Sequence, residues 1–443
     1  MSRKKKREPE TALIESVTHD GRGIAAVTGK KVFVAGALEG ETVKFLRRKR
    51  RRNFDEAELL DVIEASPLRI EPVCAAFGAC GGCALQHISA NDQRSIKERT
   101  LRDNLERIGG VAPDRWLAPV YDDSEQGGWQ YRRRARLGVK DVHAKGRVLV
   151  GFREAHAPYV CDMHRCEVLA SPVGALIDSL SEMIGQLSIR ARVPQIEVAV
   201  GDNVAELVFR VLDPPTESDL EVLTRFAAAH QLQVGLQSGG PDSVVPLDAA
   251  KRQALRYSLP DFSIDIEFSA TDFVQVNGAV NRQMVSAAVS HLDVGSDQSV
   301  LDLYCGIGNF SLPLARHAAR VLGVEGEKAQ VDRSRQNAEQ NGIANAEFRQ
   351  ADLAKVDGSE SWLRQGWDRL LLDPARSGAA EIVGCADLIG ASRIVYVSCH
   401  PGTLARDAAT LVHHKGYALE AAGIIDMFPH TGHVESLAIF QKR

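Results

Sequence analysis

Cysteine is scarce in this chain: eight thiols in 443 residues are too few for a disulfide scaffold. In a reducing compartment, cysteines that cluster more often bind metal or act in catalysis. No apolar run approaches the roughly 20 residues that a bilayer span needs, and the opening MSRKKKREPE has no apolar stretch of the secretory type. The expectation is a cytoplasmic protein with no membrane partner. Internal repeats are lacking, and low complexity is confined to short basic runs. What is present, 44% hydrophobic and 25% charged residues, is the balance of a globular protein with room for about three units.

Charge is unevenly placed. Residues 1–60 carry 15 Lys/Arg against 9 Asp/Glu, so this end is +6 in a chain of net −4. The runs are RKKKR at 3–7 and RRKRRR at 47–52, with a third group at Arg132, Arg133, Arg134 and Arg136. A basic run is most often a solvated face. Residues 47–52, however, sit inside a strand pattern, where adjacent cations repel one another unless phosphates or an RNA surface offset them.

Residues 10–64 alternate short apolar strands with glycine turns (HDGRGIAAV, GKKVFVAGALEGETVKF, FDEAELLDVIE), the pattern of a small, nearly closed β-barrel. The segment resembles a TRAM domain, an OB-like RNA-binding barrel. SPLRIEPVC follows as a linker, and a mixed α+β region runs to about residue 265. From 266 strands and helices alternate: VLDLY, RVLGVE, AEFRQ, RLLLD, IVYVS and VESLAIFQ, with helical FSLPLARHA and KAQVDRSRQNAEQNG between them. This predicts an α/β, Rossmann-like, doubly wound and mostly parallel sheet. The expected division is 1–67, 68–265 and 266–443.

The first of these strands enters LDLYCGIGNFSLPLA, where Gly306 and Gly308 let the backbone pass close to a ligand at the carboxyl end of the strand. Glu325 ends the next strand, 19 positions on, where a carboxylate can accept hydrogen bonds from both hydroxyls of a ribose. The third glycine of a dinucleotide fingerprint is replaced by Ser311, so a cofactor without phosphate, S-adenosylmethionine, fits better than a pyrophosphate. Asp352 follows the third strand, where it can meet an adenine amino group, and Asp373 ends the fourth.

The fifth strand runs into Cys399, and Glu435 precedes the last. An electrophilic methyl, a nucleophilic thiol and a carboxylate in one crevice suit methylation of a pyrimidine. Carbon 5 of uracil is too weakly nucleophilic alone; thiolate addition at C6 makes it carbanion-like, and a carboxylate can then remove the C5 proton. The stretches LDLYCGIGNFSLPLA, LLLDPARSG, YVSCHPGTLARD and MFPHTGHVESLAIF, with TDFVQVN upstream, are similar to the motifs of the RNA uracil-C5 methyltransferases. The resemblance implies Cys399 as nucleophile and Glu435 as general base, with Gln275, Tyr304, Asn309, Glu325, Asp352 and Asp373 around the methyl donor and target. His400 stands where that family usually has Asn, and Ala375 where it commonly has a second proline. Cys305 and Cys385 read as inert buried thiols, His430 and His433 as structural or RNA-facing.

PVCAAFGACGGCALQH sets Cys74, Cys80 and Cys83 in a C-x5-C-x2-C spacing that suits tetrahedral zinc or an iron–sulfur cluster. Uracil methyltransferases with a TRAM barrel and this segment carry a [4Fe–4S] cluster. The resemblance therefore implies an iron–sulfur central domain with Cys166, in preference to Cys161, as the fourth ligand. It further implies large-subunit (23S) ribosomal RNA as substrate, and a monomer needing no protein partner. The rival expectations are a tRNA substrate, or an inactive iron–sulfur RNA-binding protein.

Overall fold

The computed structural model describes residues 8–18 and 20–443; the basic run at 3–7 lies outside them. The chain forms two compact units. The first comprises the N-terminal part through Lys97 together with Phe152–Cys161 and Phe428–His433. Its six strands are β1 (Glu10–Leu13), β2 (Ser16–Val17), β3 (Arg22–Val27), β4 (Lys30–Ala35), β5 (Thr42–Arg50) and β6 (Phe54–Glu64). They pair in the order β1-β5-β6-β4-β3-β2. The two ends of that order are consecutive pieces of one stretch, residues 10–17, so chain continuity closes the sheet into a barrel around Ile14, Val32, Val34, Val43 and Phe45.

The arginine-rich run lies on β5, and the β5–β6 register sets it opposite the acids of FDEAE. Arg47, 9% exposed, binds Glu10 and Asp55 at 2.8 and 2.5 Å. Arg48 pairs with Glu58, and Lys49 and Arg51 reach Glu56 at 3.4 and 3.8 Å. The expectation that only a polyanion offsets this run is corrected: cross-strand carboxylates face it, as opposite charges on paired strands should.

After the barrel, Arg69 clamps the fully buried Glu41 at 2.5 Å, and the cysteine segment leads into α1 (Ala90–Asn104), whose residues through Lys97 belong to this unit. The strip Phe152–Cys161 is stitched to it: Gly81 N–H donates to the Arg153 carbonyl and Ala155 N–H to the Ala79 carbonyl, both at 2.8 Å.

The second unit begins at Glu98, within α1, includes β7 (Arg115–Trp116), and contains a six-stranded sheet of β8 (Arg134–Val142), β9 (Arg147–Gly151), β10 (Gln195–Val200), β11 (Ala205–Arg210), β12 (Leu232–Gln237) and β13 (Val244–Pro246), in the order β13-β12-β11-β10-β8-β9. The third basic group is used internally here. Arg133 pairs with Asp202 and Arg136 with Glu197, each at 2.6 Å, while Arg134 donates to the Val198 and Ala270 carbonyls. A hairpin, β14 (Leu255–Leu259) and β15 (Ile264–Phe268), precedes the doubly wound region.

That region has the strands β16 (Ser299–Leu303), β17 (Arg320–Glu325), β18 (Ala346–Gln350), β19 (Arg369–Leu372), β20 (Arg393–Ser398), β21 (Tyr417–Ile425) and β22 (Glu435–Lys442). With β7 they form an eight-stranded sheet, β18-β17-β16-β19-β20-β22-β21-β7. The strands from β18 to β20 are parallel, and β22 runs antiparallel to both neighbours. Because β17 and β18 lie on one side of β16 and β19 and β20 on the other, a crevice opens where the order reverses, at the carboxyl ends of β16 and β19. No helix among the described residues is long and apolar enough to cross a membrane.

Candidate active site

The loop after β16 begins at Tyr304, whose φ of 66° is left-handed, and continues through Gly306 and Gly308 at 56° and 98°. A side chain at Gly308 would come within 3.0 Å of Leu312. Glu325, at the end of β17, ties the loop down: one carboxylate oxygen accepts the Gly306 N–H at 3.1 Å, and the other accepts Gly326 and Glu327 at 2.7 and 3.1 Å. Behind the loop, Asp302 is wholly buried and binds the Ser311 hydroxyl. Burial lifts its carboxyl to about 8, with the Ser311 hydrogen bond opposing, so near neutral pH it holds a proton and adds no full charge beneath the glycines.

Asn309 is fastened sideways. Its amide exchanges hydrogen bonds with Asn281 at 3.0 Å, and its carbonyl oxygen accepts the Tyr257 hydroxyl at 2.9 Å. Gln275 sits, partly buried, in the irregular segment between β15 and Asn277, the N-cap of the helix α2 (Gly278–Leu292). Asp352 is exposed, caps a short 3-10 turn through the Ala354 N–H at 3.2 Å and pairs with Lys355 at 2.7 Å.

Cys399 and Glu435 lie at the ends of two neighbouring strands. β20 ends at Ser398, and Cys399 follows. Pro401 then opens α3 (Pro401–His414), its fixed φ suiting the first helical position. His400 is the N-cap: its Nδ1 accepts the Thr403 N–H at 3.2 Å. An imidazole thus does the capping that an asparagine amide does well, which accounts for the departure at this position. Glu435 is not in the loop before the last strand but is the first residue of β22, 3% exposed. The antiparallel register pairs Ser398 with Ser436, the residues next to Cys399 and Glu435, and the Glu435 carboxyl acts electrostatically on the Cys399 thiol.

The electrostatics are those of acids crowded out of water. Burial raises the Cys399 thiol to about 11; Glu435 and Asp373 push the same way and Arg376 opposes them. Burial, then Asp373, hold the Glu435 carboxyl well above the usual carboxylate range, again with Arg376 opposing. Burial alone lifts Asp373 to about 7. Arg376 is the cation common to the thiol and Glu435. It stands in LLLDPARSG, but the thiol and the carboxyl it acts on, Cys399 and Glu435, lie elsewhere in the chain, so no local signal marks it. Cys305, by contrast, is 3% exposed, and a side chain at Gly323 would meet its sulfur at 2.9 Å; burial drives its thiol far above the usual range.

The cysteine segment does not supply a formed metal centre. Cys80 and Cys166 are buried, 8% and 7% exposed. Among the described residues no three His, Cys, Asp or Glu side chains are gathered so that they could hold a metal ion. The iron–sulfur cluster expected on Cys74, Cys80, Cys83 and Cys166 is therefore without support here. One local feature does suit a thiolate ligand: the Gly82 N–H donates to the Cys80 sulfur at 3.4 Å.

Strand order and glycine loop give the class, a Rossmann-like methyltransferase of the S-adenosylmethionine-using kind. The profile of the tRNA (Uracil-5-)-methyltransferase family matches residues 129–443 and that of the TRAM domain residues 3–60. The chain belongs to that family and is an RNA uracil-C5 methyltransferase with an N-terminal TRAM domain. It is similar to the 23S rRNA (uracil(1939)-C(5))-methyltransferase RlmD of Alkalilimnicola ehrlichii, at 49% identity over 98% of this chain and 97% of the relative. It is also 49% identical to that of Nitrosococcus oceani, over 98% and 96%. In fold it resembles the Pyrococcus abyssi tRNA (uracil-54, C5)-methyltransferase solved with S-adenosyl-L-homocysteine, with a TM-score of 0.73, 22% identity and coverage of 97% and 100%.

Proposed function

We propose that the protein makes 5-methyluridine in 23S ribosomal RNA, with Cys399 as nucleophile and Glu435 as general base. The observation that supports the roles is the pairing of Ser398 with Ser436 in the β20–β22 ladder, which brings the neighbouring Cys399 and Glu435 within electrostatic reach; the substrate rests on the two bacterial relatives. Bound S-adenosylmethionine supplies an electrophilic methyl group. Glu325 and the glycine loop hold its ribose end, with Gln275, Tyr304, Asn309, Asp352 and Asp373 lining donor and target.

The target base, turned out of its stack, receives the Cys399 sulfur at C6, and the electrons displaced from the C5–C6 double bond make C5 nucleophilic. After C5 has gained the methyl group, Glu435 takes its proton. The C–H electrons re-form the double bond, and the C6–S pair returns to sulfur. A carboxyl whose affinity for protons is raised by burial takes up a proton more readily than an exposed one. Arg376 steadies the thiolate and Glu435 when they carry charge.

Incubation with labelled methyl donor and 23S RNA or tRNA transcripts tests the reading. Label is expected in 23S RNA and to be lost in Cys399→Ala. Label in tRNA alone would move the substrate to tRNA, and label in neither would favour an RNA-binding protein without activity. We further propose, from the C-x5-C-x2-C spacing and the Gly82–Cys80 hydrogen bond, that Cys74, Cys80 and Cys83 bind a [4Fe–4S] cluster. Iron and sulfide analysis of anaerobically prepared protein tests this, with Cys161→Ser beside Cys166→Ser to assign the fourth ligand. A cytoplasmic monomer, divided at 1–67, 68–265 and 266–443, completes the proposal.

A further inference from the structure

The segment Phe428–His433, which ends two residues before Glu435, belongs to the first unit and not to the second. Its fastening there is unusually complete. His430, at the left-handed φ of 65°, offers its carbonyl to the N–H groups of Ala84 and Leu85 at 2.8 and 3.0 Å. Gln93, 1% exposed, accepts the His430 N–H at 2.8 Å. The Gln93 Nε2 faces the His430 Nδ1 at 3.2 Å and the carbonyls of Leu85 and Ile88 at 3.0 and 2.9 Å. Lys97, fully buried, donates to the Phe428 carbonyl at 2.9 Å. Within the segment the Thr431 hydroxyl donates to the same carbonyl and accepts the His433 N–H.

A buried lysine and a buried glutamine aimed at main-chain atoms of one six-residue segment are expensive to place. Each buried polar group costs free energy unless its partners are all supplied. The stitched segment then passes through a single residue, Val434, to the acid that removes the C5 proton. We propose that Gln93 and Lys97 are positioning residues for the general base: they fix the segment from which Glu435 is presented, and thereby govern proton removal rather than sulfur addition. This rests on Glu435 being the base.

In the proposed order the base acts after the methyl group has arrived. Displacing Glu435 therefore traps the species in which C6 is bonded to sulfur and C5 carries both methyl and hydrogen. The test uses the full-length protein with 23S transcript and labelled methyl donor, resolved on denaturing gels. Gln93→Leu and Lys97→Met are expected to accumulate a protein–RNA adduct carrying label. Their kcat should be about 10- to 100-fold down, as for a displacement near 1 Å of a reacting group, with KM for RNA unchanged. Gln93→Glu, which keeps the acceptor for the His430 N–H, should recover part of the turnover.

Should adduct and turnover fall in equal proportion, or turnover remain at wild type in both Gln93→Leu and Lys97→Met, the positioning role is overturned. Glu435→Gln runs alongside. If it accumulates adduct and the Gln93 and Lys97 variants do not, only the inference fails. If it accumulates none, the base assignment itself falls, and the inference with it.

Discussion

At the scale of single residues the crevice is governed by desolvation. Three acids, the Cys399 thiol and the carboxyls of Glu435 and Asp373, are all harder to ionise than in water, and Arg376 eases the ionisation of the first two. Removing one negative neighbour must ease ionisation of the rest. In Glu435→Gln the Cys399 thiol pKa should therefore fall below its value of about 11, which the pH dependence of iodoacetamide alkylation measures; a pKa that rises would contradict the arrangement. Asp373 gives a stability signature of fixed sign. Its folded carboxyl titrates at about 7 against 3.8 for the unconstrained group, so between those values the folded state binds the proton more tightly and stability falls as pH rises. The melting temperature of Asp373→Asn should consequently gain on the wild type as pH increases from 4 to 7. Of these groups, the thiol and the acids were legible because the chemistry names their types. Arg376 was not picked out, because its part depends on which charges surround it in space.

At the scale of elements, strands with a strong local pattern fall where the sequence puts them. Arg320–Glu325 and Ala346–Gln350 coincide with the expected segments, and the basic run lies on a barrel strand. Tyr417–Ile425 went unread: YALEAAGII has small residues and Glu420 where a strand signal needs bulk. Its pairing is set by the neighbouring β22 instead. The sheet from β8 to β13 was equally opaque, because β8 finds β10 more than 50 residues later, and no local period announces such a partner. FSLPLARHA yields helix only over Ser311–Ala315.

The barrel's charge ladder separates two kinds of cation. Asp55 is 1% exposed and serves both Arg47 and Lys30, so Asp55→Ala should destabilise the protein by about 3–5 kcal/mol, the range for breaking a buried pair, in urea denaturation. Arg50 and Arg52 are exposed. Replacing both with alanine should leave the melt unchanged and reduce the slope of log K against log salt for RNA by about 0.7 to 0.9 per lost phosphate contact.

At the scale of the whole molecule, the chain assembles one unit from three separated stretches, the last of which is followed along the chain by the start of β22. A boundary drawn along the sequence cannot show this, since Phe428–His433 lies far beyond any N-terminal segment. His430 was legible only as a structural or RNA-facing histidine, for its partner Gln93 lies 337 residues earlier. If the cysteine segment is what keeps Ala84 and Leu85 in place to grip His430, Cys83→Ser should loosen the same stretch. Faster hydrogen exchange in peptides spanning 428–433 is then expected, with peptides of the β16–β19 core unaffected.

The antiparallel course of β22 beside β20 reaches further than the two residues that meet at its start. In the proposed mechanism the strand ladder, together with the fastened segment before it, sets nucleophile and base against one another. An extra amino acid anywhere along Ser436–Lys442 that shifted the ladder by one place would put Val434 or Ser436 opposite the sulfur. It would silence the enzyme with every reactive group intact, and evolution can lengthen the loops round this crevice far more freely than it can lengthen that final strand.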